Sequence, residues 1–215
     1  MQAVNGLLNR SRTLVRAGAR RLAGLLNKLS RGRISPDAIT YTSLLGHLPI
    51  AFLIATQHFV WAAALLIIFG LMDTLDGELA RLQNRASAAG MLLDASTDRI
   101  KESTLYISSA YALIQMGHPM GAVWAVAACG GALVVSYVKA KGETAVAGLG
   151  HDHHQTNHLF DDGFMRYEIR MLILILGLLL GWLLPAVVLI AVLAWYTAIA
   201  RLINISKYLR LHVPR

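Results

Sequence analysis

Polar and apolar positions alternate on a coarse scale along this chain, in blocks far longer than a helical turn. From Ala38 to Met72 there are 35 residues without Asp, Glu, Lys or Arg, from Ser103 to Val138 there are 36, and from Met171 to Ala200 there are 30. A membrane-crossing helix needs roughly 20 apolar residues, so each block suits a pair of helices better than one. Each is also interrupted near its middle by polar or helix-breaking residues: Thr56-Gln57-His58, Gly117-His118-Pro119, and the stretch from Gly181 to Pro185. A tight turn at each interruption gives three helical hairpins. The predicted helices are 37–56, 59–83, 87–116, 119–145, 164–182 and 185–209.

Composition supports a membrane protein. Of 215 residues 56% are hydrophobic and 15% charged, where soluble domains carry about a quarter charged residues. The formal charge of +8 raises the possibility of a nucleic-acid partner, but its placement argues for a bilayer. All 20 basic residues lie in the N-terminal segment, in the second-to-third and fourth-to-fifth helix connections with their helix ends, or at the C-terminus. The three hairpin turns carry none. By the positive-inside rule, the basic face and both termini are cytoplasmic. Cys129 is the only cysteine, so no intramolecular disulfide forms, and residues 1–33 contain no uninterrupted apolar signal-peptide core.

Residues 1–33 read as a separate element. Leu7, Leu8, Leu14, Val15, Leu22, Leu25 and Leu26 recur at near-helical spacing, with Arg10, Arg12, Arg16, Arg20 and Arg21 between them. This is the pattern of an amphipathic helix lying in the membrane interface among anionic headgroups; a basic tail is the alternative. Ser35-Pro36-Asp37 reads as the cap into the first crossing helix. The expected architecture is an all-α integral membrane protein: an interfacial helix over 1–33, then a six-helix transmembrane domain over 34–215.

The acids are the unusual feature. Asp73, Asp76, Asp94 and Asp98 fall within 26 residues, at the predicted cytoplasmic ends of the second and third helices. At about 100° per residue, Asp76, Gly77 and Ala80 all lie within about 60° of Asp73. Asp94 and Asp98 share a stripe, with Gly90 one turn earlier. A hairpin can therefore face four carboxylates towards each other. Such a cluster repels itself unless cations are present, and all-oxygen ligands select a hard divalent ion: Mg2+, with Mn2+ or Ca2+ as alternatives. Gly77, Ala80 and Gly90 leave neighbouring helix surface bare for a close approach. The competing explanation is purely structural, with Arg81, Arg85, Arg99 and Lys101 neutralising the acids as ion pairs.

These residues spell D-x-x-D-G-x-x-A-R-x8-G-x-x-x-D-x-x-x-D, with all eight fixed positions present from Asp73 to Asp98. By this pattern the chain resembles the CDP-alcohol phosphotransferases over nearly its whole length. The resemblance implies that Asp73, Asp76, Asp94 and Asp98 hold one or two Mg2+ ions (Mn2+ as an alternative). It implies that Asp98 is also the base that deprotonates the acceptor, and that Asp76, Gly77, Ala80, Arg81 and Gly90 border the CDP donor. It further implies a homodimer in the cell membrane, with its active site on the cytoplasmic side, that moves a phosphatidyl group from CDP-diacylglycerol to a small alcohol and releases CMP. Charge neutralisation and a carboxylate base are what such a transfer requires.

Four cations form a second candidate site. Lys139 and Lys141 end the fourth helix, and Arg166 and Arg170 begin the fifth. They either grip an acceptor's phosphate or are ordinary inside-positive flanks. Ser136-Tyr137-Val138-Lys139-Ala140-Lys141 resembles the S-Y-[IV]-K-A-R stretch of the phosphatidylinositol-phosphate synthases. Asp162-Gly163-Phe164 with Arg166 and Arg170 resembles their later G-F-x-E-R-x-E-R segment. The departures are Lys141 in place of Arg, and Met165-Arg166-Tyr167-Glu168-Ile169-Arg170 in the second stretch. The resemblance implies inositol 1-phosphate as acceptor, with glycerol 3-phosphate as the competitor. The run His151-Asp-His-His-Gln-Thr-Asn-His158 reads as a solvated loop rather than a zinc site, its ligands being too densely spaced to close a tetrahedron. A transporter is the alternative of another class, although its acids would more often sit at the bilayer midplane.

Overall fold

A computed structural model describes residues 17–147 and 165–212. Among these residues every regular element is helical: α1 over residues 17–29, then α2 (Pro36–Ala55), α3 (Phe59–Leu82), α4 (Ala88–Gln115), α5 (Pro119–Ala147), α6 (Tyr167–Leu179) and α7 (Leu183–His212). The three hairpin turns fall where the apolar blocks are interrupted. Gly117 and Gly181 take left-handed backbone (φ +80° and +68°), and the next residue's N–H reaches back five positions, His118 to Leu113 O at 2.8 Å and Trp182 to Gly177 O at 2.7 Å. This C-terminal motif satisfies carbonyls a helix end leaves open and needs a residue that tolerates positive φ. Pro185 does not start α7, as its sequence position suggested. It sits inside the first turn, where its missing N–H has no partner to lose. The Ser35 cap is present: Ser35 Oγ accepts from Ala38 N–H at 3.2 Å.

Four helices, α2, α3, α5 and α7, are long and apolar enough to cross a membrane. The protein is membrane-embedded. Of the other two predicted crossings, α6 is only 13 residues long. The other, α4, carries Asp94, Asp98, Arg99, Lys101 and Glu102 within its first fifteen residues, which lowers its apolar character. The N-terminal element is described only from residue 17; the positions before it, and the His151–His158 run, lie outside the described residues. Within α1, Leu22, Leu25 and Leu29 are exposed while Ala19 and Ala23 are buried.

The chain divides into two units. The first takes in the residues up to Leu53 together with Trp61–Thr104. Its core joins Ala23 of α1, Ile39 of α2 and Leu79 of α3, with Ile34, Met72 and Leu75 packed against them. Polar contacts reinforce it: Gln83 Nε2 donates to Asn27 Oδ1 (2.9 Å) and to Ile34 O (3.0 Å). Gly46 allows α2 and α3 to approach closely, since a Cβ there would run into the Phe69 ring.

The second unit takes in Ile54–Val60 and the chain from Leu105. Here α5 packs along α7, with Val135 against Ala194 and Ala198, and Val146 against Ile205. A Cβ on Gly131 would meet Ala194 Cβ at 3.0 Å, so small residues set this helix spacing. Trp195 Nε1 donates to Ala127 O (3.0 Å), and the buried Arg201 donates through Nη1 to Val135 O (3.1 Å), giving two polar anchors across the same interface.

Candidate active site

The first unit gathers the four signature aspartates on α3 and the start of α4. Asp73, Asp76 and Asp94 interact electrostatically with one another, and Asp98 interacts with Asp73 and Asp94. The clustering expected from helical spacing is present. Asp76 is buried, Asp73 and Asp98 are half-buried, and Asp94 is exposed.

Helix α2 supplies partners that the signature does not contain. Thr40 Oγ1 donates to Asp76 Oδ2 at 2.6 Å, and Ser43 Oγ donates to Asp73 Oδ1 at 2.7 Å. The other Asp76 oxygen accepts the N–H of Gly77, also at 2.6 Å. One turn beyond Ser43, His47 Nδ1 donates to the Ser43 carbonyl at 2.7 Å, bracing the residue that holds Asp73. Thr40, Ser43 and His47 are all buried. Their spacing of three and four is a sequence signal: three polar residues on one face of an uncharged tract. Sequence reasoning passed over it, because nothing in the tract shows that this face meets α3.

Lys101 enters the cluster directly. Its fully buried side chain places Nζ 2.6 Å from Asp73 Oδ1 and 2.9 Å from Asp98 Oδ1. The contacts are ion pairs without good hydrogen-bond alignment. Arg99 approaches Asp98 Oδ2 and Glu102 Oε2, each at 3.8 Å. The ion-pair explanation for the acids is thus partly realised, through Lys101 and Arg99. Arg81 turns to another acid: with Arg20 of α1 it pairs with the buried Glu78, at 2.9 and 3.3 Å.

Pairing stops short of the whole cluster. Asp73 Oδ2 is buried and accepts no hydrogen bond. An unsatisfied buried carboxylate oxygen is costly, and a hard cation is the ligand that suits it. Space is also available at two glycines of the signature. A Cβ on Gly77 would meet only Arg81 Nη2 at 3.6 Å, and one on Gly90 only Ser87 Oγ at 3.4 Å. Protein packing therefore does not demand glycine at either position. Among the described residues, no group of three or more His, Cys, Asp or Glu side chains is arranged as it stands to hold a metal ion. The donor set fits a hard divalent cation in chemistry, with Lys101 inside it.

The second candidate site lies in the other unit and splits between two helices. Lys139 Nζ is 3.7 Å from Glu143 Oε1, and Lys141 Nζ lies 6.0 Å from the Tyr137 ring centroid. Arg166 precedes α6 as its N-terminal cap residue. Arg170 is buried and donates through Nη1 to Met165 O at 2.7 Å. Lys139 and Lys141 are half-buried to exposed, and Arg170 helps order the entry into α6.

Comparison with known proteins identifies the family. The family model for CDP-alcohol phosphatidyltransferase matches residues 33–202. A phosphatidylinositol phosphate synthase of Corynebacterium glutamicum is 30% identical over 195 residues, covering 86% of this chain and 83% of that protein. An archaetidylinositol phosphate synthase of Aeropyrum pernix is 34% identical, covering 95% of this chain and 99% of its own length. The fold is similar to a crystal structure of Mycobacterium tuberculosis phosphatidylinositol phosphate synthase with CDP-DAG bound, at a TM-score of 0.73 and 23% identity over 87% of this chain and 92% of that one. A crystal structure of the same enzyme in complex with manganese and citrate gives 0.75 at 22% identity, over 88% and 89%. The chain belongs to the CDP-alcohol phosphatidyltransferase family. It is a membrane-embedded transferase of phospholipid biosynthesis.

Proposed function

We propose that this enzyme transfers a phosphatidyl group from CDP-diacylglycerol to inositol 1-phosphate, giving phosphatidylinositol phosphate and CMP. The observation that carries the site is the set of four interacting carboxylates with Asp73 Oδ2 buried and unsatisfied. Asp73, Asp76, Asp94 and Asp98 would hold one or two divalent ions, Mg2+ or Mn2+. When bound, the metal supplies charge neutralisation at the donor diphosphate.

The chain's own groups do the rest. Thr40 and Ser43 fix the orientation of Asp76 and Asp73, so the α3 carboxylates are preorganised before substrate arrives. Gly77, Ala80 and Gly90 leave room for the donor beside them, and the exposed Arg81 borders its phosphates. Asp98 accepts the proton of the acceptor hydroxyl as that oxygen attacks the phosphorus attached to diacylglycerol. The bond from this phosphorus to the bridging oxygen breaks, and CMP leaves.

Inositol 1-phosphate is favoured by the products that the relatives share in name, phosphatidyl- and archaetidylinositol phosphate, and by Ser136–Lys141. Lys139, Lys141, Arg166 and Arg170 would bind its phosphate. We place the interfacial helix in residues 1–33 and the catalytic domain in 34–215, with α4 and α6 completing six crossings and α1 lying in the interface through Leu22, Leu25 and Leu29. The basic residues then face the cytoplasm, both termini included, and the active unit is a homodimer. The test is the purified protein with CDP-diacylglycerol, Mg2+ and, in turn, inositol 1-phosphate, glycerol 3-phosphate, serine and free inositol, read by product mass. A glycerol 3-phosphate product alone would replace the inositol reading.

A further inference from the structure

We propose that Lys101 is a built-in cation of the carboxylate cluster, standing where a second metal ion would otherwise bind, so that each chain holds one divalent ion. This rests on the reading of the cluster as a metal site. A lysine flanking a membrane helix normally extends its ammonium to water. Lys101 does the opposite, with its side chain wholly buried and Nζ between Asp73 Oδ1 on α3 and Asp98 Oδ1 on α4. Burying an ammonium is tolerated only where opposite charge compensates it, and these two carboxylates provide that charge. The same two oxygens would otherwise be the natural bridge for a cation between the helices.

The remaining donors are apportioned accordingly. Asp73 Oδ2 faces no protein partner, Asp94 is exposed, and Asp76 is oriented by Thr40 and Gly77 with lone pairs to spare. They suit one ion. A second ion between Asp73 Oδ1 and Asp98 Oδ1 would either face the ammonium at close range or expel it. Asp98, with Oδ1 on Lys101, keeps Oδ2 as a metal or base oxygen.

The experiment counts bound manganese on the detergent-purified full-length protein by electron paramagnetic resonance, for wild type, Lys101→Met and Lys101→Arg. One tight ion in wild type and in Lys101→Arg, rising to two in Lys101→Met, is the expected result. Without metal, Lys101→Met should melt below wild type, and manganese should close that gap. A gap that manganese leaves unchanged, with one ion in both proteins, would mean a purely structural tie between helices and overturns the proposal. Two tight ions in wild type also overturn it, even if neither variant folds. Wild type that binds no manganese yet is well folded, and transfers to no acceptor, sinks the metal-dependent reading itself.

Discussion

Thr40 Oγ1 donates to Asp76 Oδ2 at 2.6 Å, so an aspartate of the signature is held by a helix that lies outside it. A hydrogen bond to a charged group is worth about 1.5–3 kcal/mol. Thr40→Val keeps the shape and removes the donor. It should lower the stability of the metal-free protein by about that amount, measured by denaturant unfolding in micelles, and reduce transfer because Asp76 loses its fixed rotamer. Unchanged stability and turnover would remove α2 from the account of the site.

Asp73→Asn, Asp76→Asn and Asp94→Asn should each abolish Mg2+-dependent transfer while leaving a folded membrane protein. Each removes a carboxylate from the set that would hold the metal, whose charge would balance the donor diphosphate. Size-exclusion profiles and CMP release check the two halves of the statement. Near-normal turnover in any two would contradict the assignment.

Asp98→Asn separates the base from the ligands. Turnover should fall by roughly 10²–10⁴, the usual contribution of a positioned general base, while CDP-diacylglycerol binding largely survives. Donor affinity that collapses as it does in Asp73→Asn would make Asp98 chiefly a metal ligand.

Gly46 tests how the site is held from behind. A methyl group at this position meets the Phe69 ring, so Gly46→Ala displaces that ring or pushes α2 from α3, disturbing how Thr40 and Ser43 hold Asp76 and Asp73. Overpacking of this kind costs about 1–3 kcal/mol. Phe69→Leu in the same chain should restore both thermal midpoint and activity; failure of that rescue would place the damage elsewhere.

Removal of one acceptor cation should raise the acceptor KM far more than the donor KM. For Arg166→Ala or Lys139→Ala the loss is roughly tenfold to hundredfold with inositol 1-phosphate, and smaller with free inositol, which has no phosphate to lose. Equal losses with both acceptors would make these residues flanking charges. Arg170 is a poorer probe, because its contact with Met165 O also builds the entry into α6.

The apolar blocks and their interruptions determined where the helices run, since a bilayer demands long uncharged helices and a turn needs residues that tolerate positive φ or break the apolar run. Helical period put Asp73 with Asp76 and Asp94 with Asp98, and the eight-position signature is local enough to read from the chain. Which side chains complete the cluster was decided only by tertiary packing. Thr40, Ser43 and His47 belong to the site because the Gly46–Phe69 contact brings α2 against α3, and no spacing within α2 specifies that partner. Lys101 looks in sequence like any basic residue near a helix end. Its burial between Asp73 and Asp98 depends on two helices meeting at one register, and electrostatic energy of that kind is set by distances between segments 28 residues apart rather than by either segment alone.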